Sequence, residues 1–404
     1  MRESSASPAQ RWHELDAVRA FALLLGVALH GVMSFMTPRI WIVADAATDP
    51  GFNIAFYVIH IFRMVTFFVL AGFFARMILQ KRGLGGFIAN RLKRIALPLV
   101  VFWPLIMAAI VAIMIIANAP APGSAAAAPP PPPPAFNDHT FPLTHLWFLY
   151  ALLLLYAGAI VVKVVTDILH IGGALGRMLD SVVAGLMRTD LISAVLILPT
   201  AAAFYLSSNW MMWFGVATPD TGLYPNAAAA AAFTTAFAFG WWLNRRGDLI
   251  DHMAKRFWLH GISAAIGTWW CVNLAGTSPV LTPVAGHDHP IYCLLYPLTT
   301  WSWTFFLIGV ARRFMTRENC VSRYLADASY WVFIVHVPIL LVLQDLVKDL
   351  AWSPEAKAPL VLAGTFSLAI VSYQILVRHT IVGWLLNGRR RKDKAVAAAR
   401  PVTA

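Results

Sequence analysis

Two histidines and two arginines lie in the first two apolar segments of the chain. Arg19 precedes His30 by eleven residues, and His60 precedes Arg63 by three. In an α-helix each of these spacings places both side chains on one face. An imidazole can move a proton at neutral pH, and a guanidinium can bind an anion. Ionisable groups at membrane depth usually serve a function, so the pattern predicts a functional site.

The acidic residue Asp16 lies three positions before Arg19 and is expected to pair with it. At 1.5 Å per residue, His30 is expected ~16 Å deeper than Arg19 along the same helix. Structural alternatives exist for each residue: an arginine that extends to the interface, an interfacial histidine, or a contact between Arg63 and a carboxylate of another helix. No acidic residue lies in the apolar segment of Arg63, so its partner must come from elsewhere.

Further candidate residues lie near the ends of later apolar segments. His145 and Trp147 open one of them, and His336, two residues before a proline, lies in another. Guanidinium groups match the geometry of phosphate, which makes the arginines at the basic ends of these segments candidate phosphate ligands: Arg76, Arg91, Arg94 and Arg378. Membrane topology alone would also produce these arginines, and an aromatic belt would explain Trp147.

The composition excludes an ordinary soluble domain. Of 404 residues, 59% are hydrophobic and 12% are charged, with a mean hydropathy of +0.67, whereas soluble chains carry roughly 25% charged residues. The three cysteines show neither metal-ligand spacing nor a disulfide framework. This disfavours zinc enzymes and soluble dinucleotide-binding enzymes, and we predict no metal site. Pairing of Cys271 with Cys293 is left open.

Apolar stretches long enough to cross a bilayer predict an all-α, polytopic membrane protein with about ten transmembrane helices. Their expected bounds are 15–36, 53–76, 95–117, 145–165, 190–207, 226–244, 257–275, 295–311, 329–347 and 358–386. With the N-terminus inside, most of the 31 lysines and arginines fall in cytoplasmic segments. Both termini are therefore expected in the cytoplasm. This topology explains the net charge of +12 without nucleic acid.

One transmembrane domain is expected over residues 1–388. Its outer loop 118–144 contains a run of prolines, Pro129–Pro134, which favours an extended polyproline II spacer. Residues 389–404 form a basic tail, expected in the cytoplasm.

Several motifs, in this order along the chain, resemble the membrane acyltransferase-3 superfamily. They are Leu15-Asp16 before Arg19-x10-His30, the Phe67-to-Gly72 block, Arg91-x2-Arg94-x3-Pro98, and Tyr330 before His336-x-Pro338. Others resemble its glucans biosynthesis protein C branch, whose members succinylate osmoregulated periplasmic glucans: His60-x2-Arg63-Met, His145-Leu-Trp-Phe-Leu and Asp327-Ala-Ser. The resemblance implies an inner-membrane O-acyltransferase that carries an acyl group from cytoplasmic acyl-CoA to a periplasmic glucan or another saccharide.

That activity implies roles for the candidate residues. Acyl transfer from a thioester needs a general base for the alcohol and stabilisation of the tetrahedral oxyanion. His30 is predicted to be the base, with His60 supporting it, while Arg63 stabilises the oxyanion or pairs with a succinyl carboxylate. Arg19 completes the predicted catalytic group. A route through an acyl-histidine is left open.

The remaining candidates are predicted to bind substrate: Asp16, Arg76, Arg91, Arg94, His145, Trp147, His336 and Arg378. Succinyl-CoA or another acyl-CoA acts as co-substrate, and no permanently bound cofactor is expected. The expected partners are the lipid bilayer, the saccharide acceptor and proteins of glucan synthesis. The alternatives are a transporter or flippase for an anionic or sugar-linked substrate, which paired interrupted helices would favour, and a membrane scaffold.

Overall fold

The computed structural model describes residues 12–117, 136–316 and 320–387, and the chain in these ranges is helical. The predicted proline spacer and the basic tail lie outside them. The α-helices, in chain order α1 to α14, are His13–Met33, Pro50–Arg91, Leu97–Ala117, Trp147–Ile168, Gly172–Arg188, Ile192–Leu196, Leu198–Tyr205, Ala227–Leu243, Asp248–Lys255, Phe257–Ala275, Pro290–Phe314, Cys320–Val347, Pro354–Ser372 and Ile381–Asn387.

Local sequence explains where several helices begin. Proline occupies the first turn of α2, α11 and α13, where its missing N–H has no helical partner to lose. The Asp49 side chain caps α2 by accepting from the backbone N–H of Gly51 at 2.6 Å. The Asn226 side chain caps α8 in the same way through the N–H of Ala229, at 2.9 Å.

In the described ranges, 6 helical runs are long and apolar enough to cross a membrane, and a bent pair raises the number to 7. The protein is thus a multi-pass membrane protein; a total of ten spans and the position of the termini stay predictions. One run, Pro50–Ala117, includes two predicted spans. It kinks at Gly83, whose φ of 66° favours glycine, and then passes through a π-helical turn at Leu92–Ala96 into α3.

Hydrogen bonds show that α3 returns to the end of the bundle from which α2 starts. The Lys348 ammonium donates to the carbonyl of Ala117 at 3.0 Å, and the Lys348 carbonyl accepts from the N–H of Ala46 at 3.1 Å. We call this end the Trp41 face, after a residue in its loop 34–49. The opposite end, where α1 begins, is the His13 face.

Two predicted spans are interrupted. The segment 190–207 divides into α6 and α7. The axis of these two helices makes an angle of 118° with α5, a helix that the sequence analysis did not predict. The last span, 358–386, ends as a regular α-helix at Ser372, where a π-helical turn over Tyr373–Val377 separates α13 from α14. Apolar composition predicted the extent of these segments but not their breaks.

Helices α2 and α8 pack with their backbones in contact. A Cβ added to Gly72 would lie 2.0 Å from the carbonyl oxygen of Phe237, and one added to Gly240 would lie 1.8 Å from that of Val69. Gly72 and Gly240 thus allow the two helices to approach closely. Cys271 and Cys293 are free, buried thiols rather than a disulfide.

A buried ion pair holds the loop 34–49 in place. The Lys357 ammonium donates to both carboxylate oxygens of Asp45, at 2.8 and 3.0 Å, and both side chains are almost completely buried. The N–H of Asp45 in turn donates to the carbonyl of Ser34. This pair anchors the loop to the start of α13, above the candidate site.

Candidate functional site

Six of the predicted site residues come together around one cavity of about 290 Å³. His30 lies on α1, His60 and Arg63 lie on α2, and His336 lies on α12. His145 and Trp147 lie in the turn before α4 and at its start. A cavity of this size is at the lower end of the ~300–1,000 Å³ typical of ligand pockets, so it suits a small group rather than a whole coenzyme.

His30 and His336 form a hydrogen-bonded pair. The rings stack at 5.1 Å between centroids, and Nδ1 of His30 lies 2.9 Å from Nε2 of His336. Nδ1 of His336 lies 2.7 Å from the carbonyl oxygen of Phe333, which can only accept, so this nitrogen carries the proton. Nε2 of the neutral His336 ring is therefore an acceptor, and Nδ1–H of His30 donates to it. The free lone pair of His30 is then on Nε2.

The other two histidines are fixed by carbonyl oxygens as well. Nε2–H of His60 donates to Val216 at 3.0 Å, and Nε2–H of His145 donates to Ile334 at 3.1 Å. Each neutral ring thus keeps its lone pair on Nδ1, and that of His145 is buried without a protein partner. Three lone pairs around one cavity can accept protons.

Trp41 and Gln344 complete the surroundings of His30, and the sequence analysis did not include either. The indole of Trp41 stacks on the His30 ring at 5.4 Å and donates to the side-chain oxygen of Gln344 at 2.8 Å. The amide nitrogen of Gln344 donates to the backbone carbonyl of His30 at 3.2 Å. Gln344 could have been predicted as a site residue because a glutamine is unusual in an apolar helix. No feature of the sequence distinguished Trp41, which lies in a loop.

Arg63 is a half-buried cation that lines the cavity and has no counter-ion among the residues that the structure describes. None of the ion pairs within the described ranges includes its guanidinium, and its Nε is inaccessible to solvent and makes no hydrogen bond. Asp220, at the cavity mouth, is the acidic residue among those that line the cavity. Desolvation raises the pKa of this carboxyl above its usual value, and no ion pair within the described ranges joins it to Arg63. The guanidinium is therefore available to an anion in the cavity.

Gly26 of α1 makes room for this guanidinium. A Cβ at Gly26 would lie 2.4 Å from Nη1 of Arg63. Gly26→Ala is thus expected to displace the guanidinium and to lower the rate of a reaction at this cavity by up to ~10²-fold, the effect of a misplacement of about 1 Å. The fold should tolerate the change, because alanine is favoured over glycine in a helix by roughly 0.5–1 kcal/mol.

The measurement is the rate of the reaction catalysed by the protein together with the unfolding midpoint. Gly185→Ala is the matched control, since a Cβ at Gly185 meets nothing within 4 Å. Equal rates in both variants would show that the position of the guanidinium is unimportant.

Arg19 lies apart from this cavity. It pairs with Asp16 at 3.0 Å, as predicted, and its guanidinium lies 5.1 Å from the ring centroid of Phe74. Arg19 lies near the His13 face, at a distance from His30, and its catalytic role stays a prediction.

Arg91 and Arg94 lie near the π-helical turn, at the His13 face. Arg91 donates to the Tyr156 hydroxyl at 3.2 Å and lies over its ring, and the carbonyl of Arg94 accepts from the Tyr330 hydroxyl at 2.7 Å. Tyr330 precedes His336 by six residues in α12, or ~9 Å along the axis. The basic turn is therefore close to the histidine cavity.

The two other predicted phosphate ligands lie outside this turn. Arg378 lies over the ring of Tyr324 and donates to Gln374 at 2.8 Å. Arg76 lines a second, larger cavity between α4 and α8. Helix α12 begins at Cys320, before the predicted start of this span at 329, so His336 lies well inside the helix.

The family model of the acyltransferase-3 family, described as an acyltransferase domain, matches residues 12–376. The chain belongs to this family. It is an acyltransferase, and the matched range includes every residue of the histidine cavity.

Individual relatives match a shorter part. Glucans biosynthesis protein C of Escherichia coli (strain SMS-3-5 / SECEC) is 33% identical over 99 residues, 24% of this chain and 26% of that protein. The protein of the same name from Salmonella typhi is 33% identical over 102 residues, 25% of this chain and 26% of that protein. The match thus spans about a quarter of the length of these relatives. No solved structure matches the chain.

Proposed function

We propose that this protein is an inner-membrane O-acyltransferase that transfers an acyl group, in the first place succinyl, from cytoplasmic acyl-CoA to a hydroxyl of a periplasmic glucan. The observation that carries the proposal is the histidine cavity, in which His30 keeps a free lone pair on Nε2 and Arg63 has no counter-ion. Acyl transfer to an alcohol uses a base and an anion-stabilising group together.

The proposed orientation places the His13 face in the cytoplasm and the Trp41 face in the periplasm. It includes ten spans, both termini inside, and a single transmembrane domain over 1–388. The basic residues of the π-helical turn and of the α8–α9 connection, at Arg245 and Arg246, then follow the positive-inside rule. The cavity mouth, which includes Trp41 and Thr221, opens towards the acceptor.

In the proposed reaction, Nε2 of His30 takes the proton of the acceptor hydroxyl as its oxygen attacks the thioester carbonyl. The C–O bond forms, and Arg63 stabilises the oxyanion. The C–S bond then breaks, and the coenzyme A thiolate leaves with the proton from His30. His336 is a positioning residue, because its acceptor nitrogen holds Nδ1–H of His30 and so keeps Nε2 free. An acyl-histidine route would use the same nitrogen.

The donor is proposed to bind from the His13 face. Arg91 and Arg94 would contact the nucleotide phosphates, and the pantetheine arm would cover the axial distance to the histidine pair. Phe148 packs between Phe67, at 4.4 Å, and Phe333, at 5.6 Å, and these rings line the cavity. They would enclose the acyl group and exclude water.

The test is mass spectrometry of periplasmic glucans from cells with and without the protein. A succinyl-sized increment that disappears without the protein is the expected result. An acetyl-sized increment would keep the reaction and change the donor. Identical glucans in both strains would contradict the glucan acceptor, and other envelope saccharides would then be compared in the same way.

A further inference from the structure

A second cavity lies between α4 and α8, with α5 at one end. Its volume is about 1160 Å³, above the ~300–1,000 Å³ of pockets for drug-sized ligands. Trp147 of the histidine cavity and Phe233 of this one stack at 5.6 Å and separate the two spaces. We call the second cavity the α4–α8 groove. Its occupant is larger than an acyl group and does not contact His30.

The walls of the groove are apolar and built largely from small side chains. Ala151, Gly158 and Ala159 line it on α4, and Ala229 and Ala230 line it on α8. From Ala151 to the end of the lining on α4, sixteen residues on, the axis extends ~24 Å, close to the ~30 Å of a hydrocarbon core. Walls of this kind within a bilayer are complementary to hydrocarbon chains.

One end of the groove, towards the His13 face, is basic. Lys163 and Arg245 line it there, but each already pairs with a carboxylate, Asp167 and Asp180 respectively. Arg76 is the third cation. It has no ion pair or hydrogen bond within the described ranges, and its Nε is inaccessible to solvent. One positive charge is thus left unneutralised at the end of an apolar groove.

We propose that the α4–α8 groove binds one anionic glycerophospholipid of the bilayer. Its acyl chains lie between α4 and α8, and its phosphate pairs with Arg76. Any glycerophospholipid offers this phosphate, but the positive charge of Arg76 repels the ammonium of phosphatidylethanolamine and so favours a lipid with a net negative headgroup. The small residues of the walls make room for the chains. This site is separate from the proposed acyl-donor site, so its test does not depend on the acyl group or the acceptor.

The test measures phospholipid that co-purifies with the full-length protein in a mild detergent. Gly158→Phe fills the groove, because a Cβ at Gly158 meets nothing within 4 Å. The control is Gly185→Phe on α5, which is equally open and outside the groove. Wild type and Gly185→Phe should retain about one equivalent of phosphatidylglycerol, and Gly158→Phe at least about tenfold less, a difference of ~1.4 kcal/mol in binding.

The headgroup is tested after delipidation, by binding from nanodiscs of phosphatidylglycerol or of phosphatidylethanolamine. Wild type should prefer phosphatidylglycerol, and Arg76→Gln should lose this preference. Equal lipid in Gly158→Phe and Gly185→Phe, or no headgroup preference in wild type, would overturn the proposal. The proposal would also be overturned if soluble acyl-CoA displaced the lipid and Gly158→Phe needed a higher acyl-CoA concentration for activity. Those two results together would show that the groove binds the acyl donor.

Discussion

Replacement of His30 by alanine is expected to lower acyl transfer by ~10²–10⁴-fold, the contribution of a positioned general base. Nε2 of His30 is the nitrogen that the pair with His336 leaves free, so no other group of the pair can take the acceptor proton. The measurement is the rate of glucan acylation in membranes that contain equal amounts of each variant. His287→Ala is a matched control, because this histidine is exposed in a loop.

Two variants of His336 separate positioning from mere packing. His336→Leu removes the acceptor for Nδ1–H of His30 and is expected to lower the rate, whereas His336→Gln places an amide oxygen near the same point and should restore part of it. Equal rates in these two variants would contradict the positioning role.

For the first prediction, wild-type activity of His30→Ala would exclude His30 as the base.

The histidine cavity could be predicted in part because ionisable residues are conspicuous in apolar segments. His30, His60 and Arg63 stand out for this reason, and helical periodicity correctly places the last two on one face. Periodicity does not say which face meets which helix. The pair of His30 with His336 joins residues 306 positions apart and could not be derived from either segment.

Residues outside the apolar pattern were harder to place. Trp41 lies in a loop, and its position depends on the buried ion pair of Asp45 with Lys357. The predicted span 358–386 excludes Lys357 and leaves it in the loop before that span, where a lysine usually faces water. Its burial depends on a carboxylate that is 312 residues away along the chain.

The sequence analysis grouped Arg76, Arg91 and Arg94 as phosphate ligands, but the structure separates the first from the other two. Arg76, Arg91 and Arg94 are close in sequence and lie in the middle of the helical run Pro50–Ala117. In the structure the kink at Gly83 separates them, so that Arg76 faces the α4–α8 groove while Arg91 packs on Tyr156. The kink at Gly83 thus places Arg76 apart from Arg91 and Arg94, although the three residues are close in sequence.

Arg63→Met is expected to lower acyl transfer by about 10²–10³-fold, the effect of losing one oxyanion-stabilising group, without lowering the unfolding midpoint. The physical reason is that a buried charge without a counter-ion costs desolvation energy, and methionine removes this cost at similar volume. The measurement combines the acylation rate with thermal unfolding of the detergent-solubilised protein.

Lys357→Met provides the contrast for stability. It removes one partner of a buried pair and leaves Asp45 uncompensated, which typically costs about 3–5 kcal/mol. A low unfolding midpoint for Lys357→Met beside an unchanged or higher one for Arg63→Met is the expected result. If Arg63→Met destabilised the protein as strongly as Lys357→Met, Arg63 would be a structural residue.

A comparison of two acyl donors, succinyl-CoA and acetyl-CoA, distinguishes between the two roles proposed for Arg63. If the guanidinium pairs with a succinyl carboxylate, Arg63→Met loses activity with succinyl-CoA far more than with acetyl-CoA, because only the first donor carries that charge. If it stabilises the oxyanion, both donors lose activity equally, because both form the same tetrahedral centre. Arg63→Lys keeps the charge but not the planar fork, so a bidentate carboxylate contact would also make it selective against succinyl-CoA.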